Sequence, residues 1–235
     1  MPATKRKFPG RTSRSEGTTL KRRKAVARTY SGATSTKVPL SMDHQLLRTK
    51  QDCVLRYHES FSLNPGTAGV PSFYTFRANS CFDPNYTGTG HQPRGYDQIM
   101  SMYQYLAVRE VQIEVWFQPR DGAPVILSIN ADANAPASYD RDKMMEQRTA
   151  VFKTAAGISA GNPGYISLRC KPWQLAGTKL SESDYRHLDT GNPVITQFLN
   201  VVGAPIEGTD SGNIDCVARL TYHCQVTEPK STSAS

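Results

Sequence analysis

The side chains able to do covalent, acid–base or metal chemistry are dispersed along this sequence. The histidines are His44, His58, His91, His187 and His223, and the cysteines are Cys53, Cys81, Cys170, Cys216 and Cys224; they form neither an HExxH run nor a CxxC pair. Zinc needs its ligands gathered at about 2.0–2.3 Å. His223 and Cys224 are neighbours on an expected strand and therefore point to opposite faces. Cys216 and Cys224 share a face but lie about 27 Å apart along it. An odd cysteine count in a long chain without a secretory leader speaks against a disulfide framework, so the thiols are expected as small core residues. Asp132, Asp140 and Asp142 fall in one loop region and offer oxygens of the kind calcium takes; a solvated acidic loop is the simpler reading. Gly88-Thr89-Gly90-His91-Gln92-Pro93 is glycine-rich but lacks the Gly-Lys-Ser/Thr ending of a phosphate loop. It reads as a tight turn, with Gln92, Tyr96, Asp97 and Gln98 available to hydrogen-bond the loop or an adjoining subunit. There is no Gly-x-Ser-x-Gly elbow and no carboxylate pair with an acid–base role. The expectation is no catalysis, no metal and no cofactor.

The chemistry that does stand out is electrostatic. The 235 residues hold 28 Lys/Arg against 20 Asp/Glu, a net charge of +8. Residues 1–37 take eleven of those cations (Lys5, Arg6, Lys7, Arg11, Arg14, Lys21, Arg22, Arg23, Lys24, Arg28 and Lys37) and one acid, Glu16, which is +10. The remainder holds 17 cations and 19 acids, or −2. A basic tail on a nearly neutral body points to a polyanionic partner. Lys5-Arg6-Lys7 and Lys21-Arg22-Arg23-Lys24, thirteen residues apart, would neutralise phosphates without reading sequence. The same clusters fit a two-part nuclear-import address, which implies a host import receptor as partner. The arm's large apolar groups are only Phe8, Leu20, Val26 and Tyr30, too few to offset the entropy of ordering, so it is expected to be disordered when free.

The body reads as strands separated by turn chemistry. Over 108–118, Val111, Ile113, Val115 and Phe117 share one parity and Gln112, Glu114 and Gln118 the other, the period-two signature of a half-buried strand. Over 214–226, Ile214, Cys216, Ala218, Leu220, Tyr222, Cys224 and Val226 alternate with Asp215, Arg219, Thr221, His223 and Gln225. Further strands are expected at 52–63, 72–79, 124–130, 149–155, 164–171 and 194–202, divided by breakers such as Asn64-Pro65-Gly66, Asn162-Pro163-Gly164 and Gly191-Asn192-Pro193. Helix is expected only at 95–105 and 138–146, both short. That pattern predicts an all-β fold, a single eight-stranded jelly-roll sandwich at 50–227. A basic arm (1–37) and a linker (38–49) precede it and a polar tail (228–235) follows. No stretch approaches the ~18 apolar residues of a membrane helix, and the basic N-terminus lacks the apolar run of a secretory signal, so a soluble, cytosol-made chain is expected.

The segment Tyr74-Thr75-Phe76-Arg77-Ala78-Asn79-Ser80-Cys81-Phe82-Asp83-Pro84-Asn85, followed by Gly88-Thr89-Gly90-His91-Gln92-Pro93-Arg94-Gly95-Tyr96-Asp97-Gln98 and Tyr103-Gln104-Tyr105, resembles the capsid proteins of small viruses with circular, Rep-encoding single-stranded DNA genomes. The match spans roughly residues 73–118. The arm is shorter and less arginine-dense than in the circovirus branch. The resemblance implies one jelly roll, many copies of the chain in a small icosahedral shell, a packaged single-stranded DNA genome, and residence in the virion with a host-nuclear stage during assembly. Two other readings remain. A non-assembling single-stranded nucleic-acid-binding protein would need an aromatic and basic face on its folded body; the net charge of −2 and scattered bases disfavour that. A sugar-binding jelly roll would leave the arm unexplained.

Overall fold

A computed structural model describes residues 47–66, 70–120, 123–142, 144–156, 163–206 and 213–230. Its strands are β1 (Lys50–Leu63), β2 (Ser72–Arg77), β3 (Tyr103–Pro119), β4 (Val125–Asp132), β5 (Val151–Ala155), β6 (Gly164–Cys170), β7 (Phe198–Pro205) and β8 (Ile214–Pro229). Two short helices, α1 (Tyr96–Met102) and α2 (Pro172–Leu175), lie between them. The strands form two four-stranded sheets, ordered β1-β8-β3-β6 and β2-β7-β4-β5. First pairs with last, second with seventh, third with sixth and fourth with fifth, all antiparallel. That is one long hairpin of strands rolled over itself, the jelly-roll connectivity.

The core lies between the sheets and follows from alternation. Val111, Ile113, Val115 and Phe117 of β3 and Cys216, Ala218, Leu220, Tyr222, Cys224 and Val226 of β8 are all buried. Ile113 sits directly opposite Leu220 in the register. A bulge between Val108 and Glu110 adds one residue to β3 and resets its parity, so Leu106, Ala107 and Val108 are buried in succession. Tyr185 covers this irregularity, donating its hydroxyl to the Val108 carbonyl at 2.7 Å. Gly164 stands opposite Phe117; a Cβ there would come within 2.3 Å of the ring, so only glycine lets the strands close.

The two outer faces differ. β4 is buried on both sides from Val125 to Ala131. Outside it, Ile126, Val202 and Ala204 pack under Met144, with Phe73 and Tyr139 alongside, so the segment after β4 roofs the second sheet. A polar ladder crosses under that roof. Thr75 donates to the Asn200 side-chain oxygen at 2.9 Å, and the Asn200 amide and the Tyr139 hydroxyl both donate to Asn130 Oδ1 at 3.1 Å. The outer face of the β1-β8-β3-β6 sheet has no such roof among the described residues and carries charged and aromatic side chains.

Several expected boundaries shift. The helix over 95–105 ends at Met102, because Tyr103 and Tyr105 already pair with β8. Among the described residues of 138–146 there are turns and no helix; Tyr139 is tied to Asn130 and Met144 is packed onto the second sheet. The strand expected at 194–202 begins at Phe198. Residues before it are diverted to the 77–85 loop, with Ala78 donating to the Gln197 carbonyl. Pro172 opens α2, which periodicity did not signal because it is only four residues long.

Candidate functional site

The phosphate-binding and import residues expected from sequence (Lys5, Arg6, Lys7, Arg11, Arg14, Lys21, Arg22, Arg23, Lys24 and Arg28) lie outside the described residues. The described part of the chain places the other candidates.

The motif at 74–98 is an internal clamp. Arg77 ends β2, and its guanidinium donates to the Asp83 carboxylate at 2.8 Å and to the carbonyls of Asp83 and Asn85 at 2.9 and 2.7 Å. Its own carbonyl accepts the Tyr222 hydroxyl at 2.8 Å, which ties the loop to β8. Asn79 is fully buried, donating to the Ile195 carbonyl at 2.7 Å and accepting the Gln197 N–H at 2.8 Å. Ser80 donates to Asn192 at 2.7 Å. Asn85 donates to Glu59 at 2.9 Å and to the Tyr74 hydroxyl at 2.7 Å, while its oxygen accepts both donors of Thr87. Glu59 also accepts the hydroxyls of Tyr57 at 2.5 Å and Tyr74 at 2.8 Å. Burial and the Glu59 carboxylate push the Tyr74 phenol up to about 12 and raise that of Tyr57 as well, so both stay donors. Polar groups matched to one another in this way fix the path of the loop.

The glycine-rich run belongs to the same clamp. A Cβ on Gly90 would fall 2.4 Å from the Tyr57 hydroxyl and 2.8 Å from Asn85 Cβ, so the backbone needs glycine to pass. His91 stacks on the Tyr57 ring at 4.6 Å. Tyr96 is in the core, stacked against His187 at 6.1 Å, with its hydroxyl donating to the Leu188 carbonyl at 3.2 Å. A turn, not a phosphate cradle, is what this run builds.

The cysteines are packing groups. Cys81, Cys216 and Cys224 are buried, and the Cys81 and Cys224 sulfurs lie 3.6 Å apart. Burial pushes the thiols of Cys170 and Cys216 up to about 12 and raises that of Cys224; Cys53 is raised by its hydrogen bond to Cys224 and by burial. Thiols held in that form are poor nucleophiles. Among the described residues no three His, Cys, Asp or Glu side chains are grouped to hold a metal. Asp132 and Asp140 accept the N–H groups of Asn134 and Asp142, local turns within the loop.

The arrangement that sequence reading missed is the open face of the first sheet. Register sets Arg56, Thr221, Gln112 and Arg169 in one row across the four strands. His58, Arg219, Glu114 and Ser167 form the next row, then Ser60, Val217, Trp116 and Tyr165. Trp116 and Tyr165 have ring centroids 5.3 Å apart at 46°, and the Arg219 guanidinium lies 5.4 Å over Trp116. Ion pairs join Arg219 to Glu114, Arg109 to Asp52, Arg120 to Asp215, and Arg169 to Glu110. The signal was Trp116 on the polar parity of an otherwise regular strand. Its partners come from β6 and β8, dozens of residues away, so the bases look scattered until the strands pair.

No family model matches this sequence, and no curated protein matches it. Solved structures similar to it in backbone are of viral particles and a capsid protein. One is the semi-empty virus-like particle of giant freshwater prawn Macrobrachium rosenbergii nodavirus (9% identity, 81% of this chain and 100% of that one, TM-score 0.46). Others are the 60-mer BFDV capsid protein (11%, 80% and 100%, TM-score 0.44) and turnip yellow mosaic virus (10%, 80% and 99%, TM-score 0.43). The jelly-roll assignment itself rests on the strand order above.

Proposed function

We propose that this chain is a structural capsid subunit. Copies of the jelly roll tile a small icosahedral shell, and the arm at 1–37 packages a single-stranded DNA genome within it. The observation that carries the reading is the division of charge: +10 on 37 residues, attached to a body of −2. Like-charged arms repel one another, so copies gathered in a shell need a polyanion to neutralise them, and a nucleic acid supplies it. Support also comes from the sequence resemblance over 73–118, whose residues build the clamp between the sheets. The DNA genome, the nuclear stage and the import receptor rest on that resemblance and on the two basic clusters. Among the described residues no helix is long and apolar enough to cross a membrane.

The competing reading, a protein that coats single strands without closing into a shell, is favoured by one observation: the aromatic pair of Trp116 and the exposed Tyr165 on a sheet face with cations in excess. Electron microscopy of the purified full-length protein separates the two. Uniform closed particles are expected. Filaments on added single-stranded DNA, with no closed particles in its presence or absence, would replace the capsid reading with the coating one.

A further inference from the structure

Residues 38–235 are net negative, yet the open face of the β1-β8-β3-β6 sheet is not. Its four acids, Asp52, Glu110, Glu114 and Asp215, are each matched by an arginine. Lys50, Arg56 and Lys171 remain in excess, with His58 and His223 on the same face. The body's acids are therefore concentrated elsewhere, and this face is selectively cationic. It is also aromatic where a sheet facing water is usually polar. Tyr165 is 44% exposed and Val217 36% exposed beside Trp116. A depression of about 460 Å³ opens next to them, lined by Ser60, Trp116, Gln118, Arg120, Asp215 and Val217. That volume falls within the range of small-ligand sites, about 300–1,000 Å³, and admits a planar base.

We propose that this face is a second nucleic-acid site, on the folded body, in which Trp116 and Tyr165 stack unpaired bases while Lys50, Arg56 and Lys171, the cations of the face with no carboxylate partner among the described residues, attract the backbone phosphates. Stacking on aromatic rings beside a cationic track is how sequence-tolerant single-strand sites gain affinity. The arm is built for phosphates alone, having few rings. The face supplies what the arm lacks, a means of telling a base-bearing single strand from any other polyanion. Guanidinium over indole, already present as Arg219 over Trp116, adds a cation–π contact that an incoming base extends. The proposal rests on the reading of the chain as a handler of single-stranded nucleic acid, but not on the closure of a shell.

The test uses the full chain and two labelled strands of equal length, oligothymidylate and an abasic deoxyribose-phosphate polymer. Phosphate binding treats the two alike; stacking does not. The unaltered protein should bind thymidylate roughly tenfold tighter, the effect of about one well-stacked base. Trp116→Ala and, separately, Tyr165→Ala should erase most of that preference and leave affinity for the abasic strand unchanged. Trp116→Phe should keep most of it. Tyr165→Ala, at an exposed position, carries the test if Trp116→Ala fails to fold. In a Trp173→Phe background, the remaining tryptophan fluorescence should be quenched by thymidylate and not by the abasic strand. Equal affinity for both strands, or an undiminished preference in both alanine variants, would overturn the proposal. So would loss of closed particles in those variants with the base preference intact, which would make the face a contact between copies. Absence of particles alongside an intact base preference would defeat the capsid reading and leave this site standing.

Discussion

At the scale of single residues, burial decides what each side chain can do. His187 shows it. The ring is buried and stacked against Tyr96, while the backbone N–H and C=O of His187 exchange hydrogen bonds with those of Leu106. Its Nδ1 donates to the Leu188 carbonyl at 3.0 Å, and Nε2 has no partner among the described residues. The nearest charged side chains in sequence are engaged elsewhere, Arg186 with Glu228 and Asp189 with Lys230. Burial therefore pushes its pKa down from 6.5 to about 4, outweighing the hydrogen bond to Leu188 that raises it. The sign follows from linkage: between those two values the unfolded chain binds a proton that the folded one refuses. The residue's contribution is intact above pH 6.5, erodes as pH falls, and is lost by about pH 4. A shift of that size corresponds to about 3 kcal/mol. Urea midpoints of the protein and of His187→Gln, compared from pH 7 to pH 4, should converge or cross as the native histidine loses its advantage. Parallel curves over that range would refute the assignment.

At the scale of elements, alternation was legible and local diversions were not. β3 and β8 could be read because each carries an unbroken inward row. A one-residue slip would turn that whole row to solvent, so register and pattern specify one another. The 194–202 segment misled because Val194 and Ile195 look like strand residues. Val194 is 81% exposed, and the carbonyl of Ile195 is taken by Asn79. A side-chain amide 115 or more residues away has no local signature. The bulge at Arg109 was equally hidden, since an extra residue changes no composition. The candidate face failed to appear for the same reason: Trp116, Tyr165 and Arg219 meet only through register. One pair of substitutions tests the alternation directly. Leu220→Ala removes buried volume opposite Ile113 and should cost about 2–5 kcal/mol. Thr221→Ala, next in sequence but on the open face, should cost about 0.5 kcal/mol or less. Equal losses in urea unfolding, with unchanged slopes, would mean the two faces are not distinct in packing.

At the scale of the whole molecule, two kinds of nucleic-acid contact are expected to leave different marks on salt dependence. An arm of Lys and Arg acts by releasing counterions, and for single strands the slope of log K against log salt is about −0.7 per neutralised phosphate. With roughly six to ten contacts from one arm, the slope should fall near −4 to −7. Stacking on Trp116 and Tyr165 adds affinity but releases almost no counterions, so it should shift the line without tilting it. Changing Lys21, Arg22, Arg23 and Lys24 together to Ala removes up to four contacts and should flatten the slope by about 2–3. Binding to every sequence should weaken alike, because no base is read by these side chains. The measurement is a titration of full-length protein with single-stranded oligonucleotides of several sequences across a salt series. An unchanged slope in the quadruple variant would show that the folded body, and not the arm, holds the phosphates. The division of charge in the chain would then concern solubility instead of packaging, and the coating reading would gain over the capsid one.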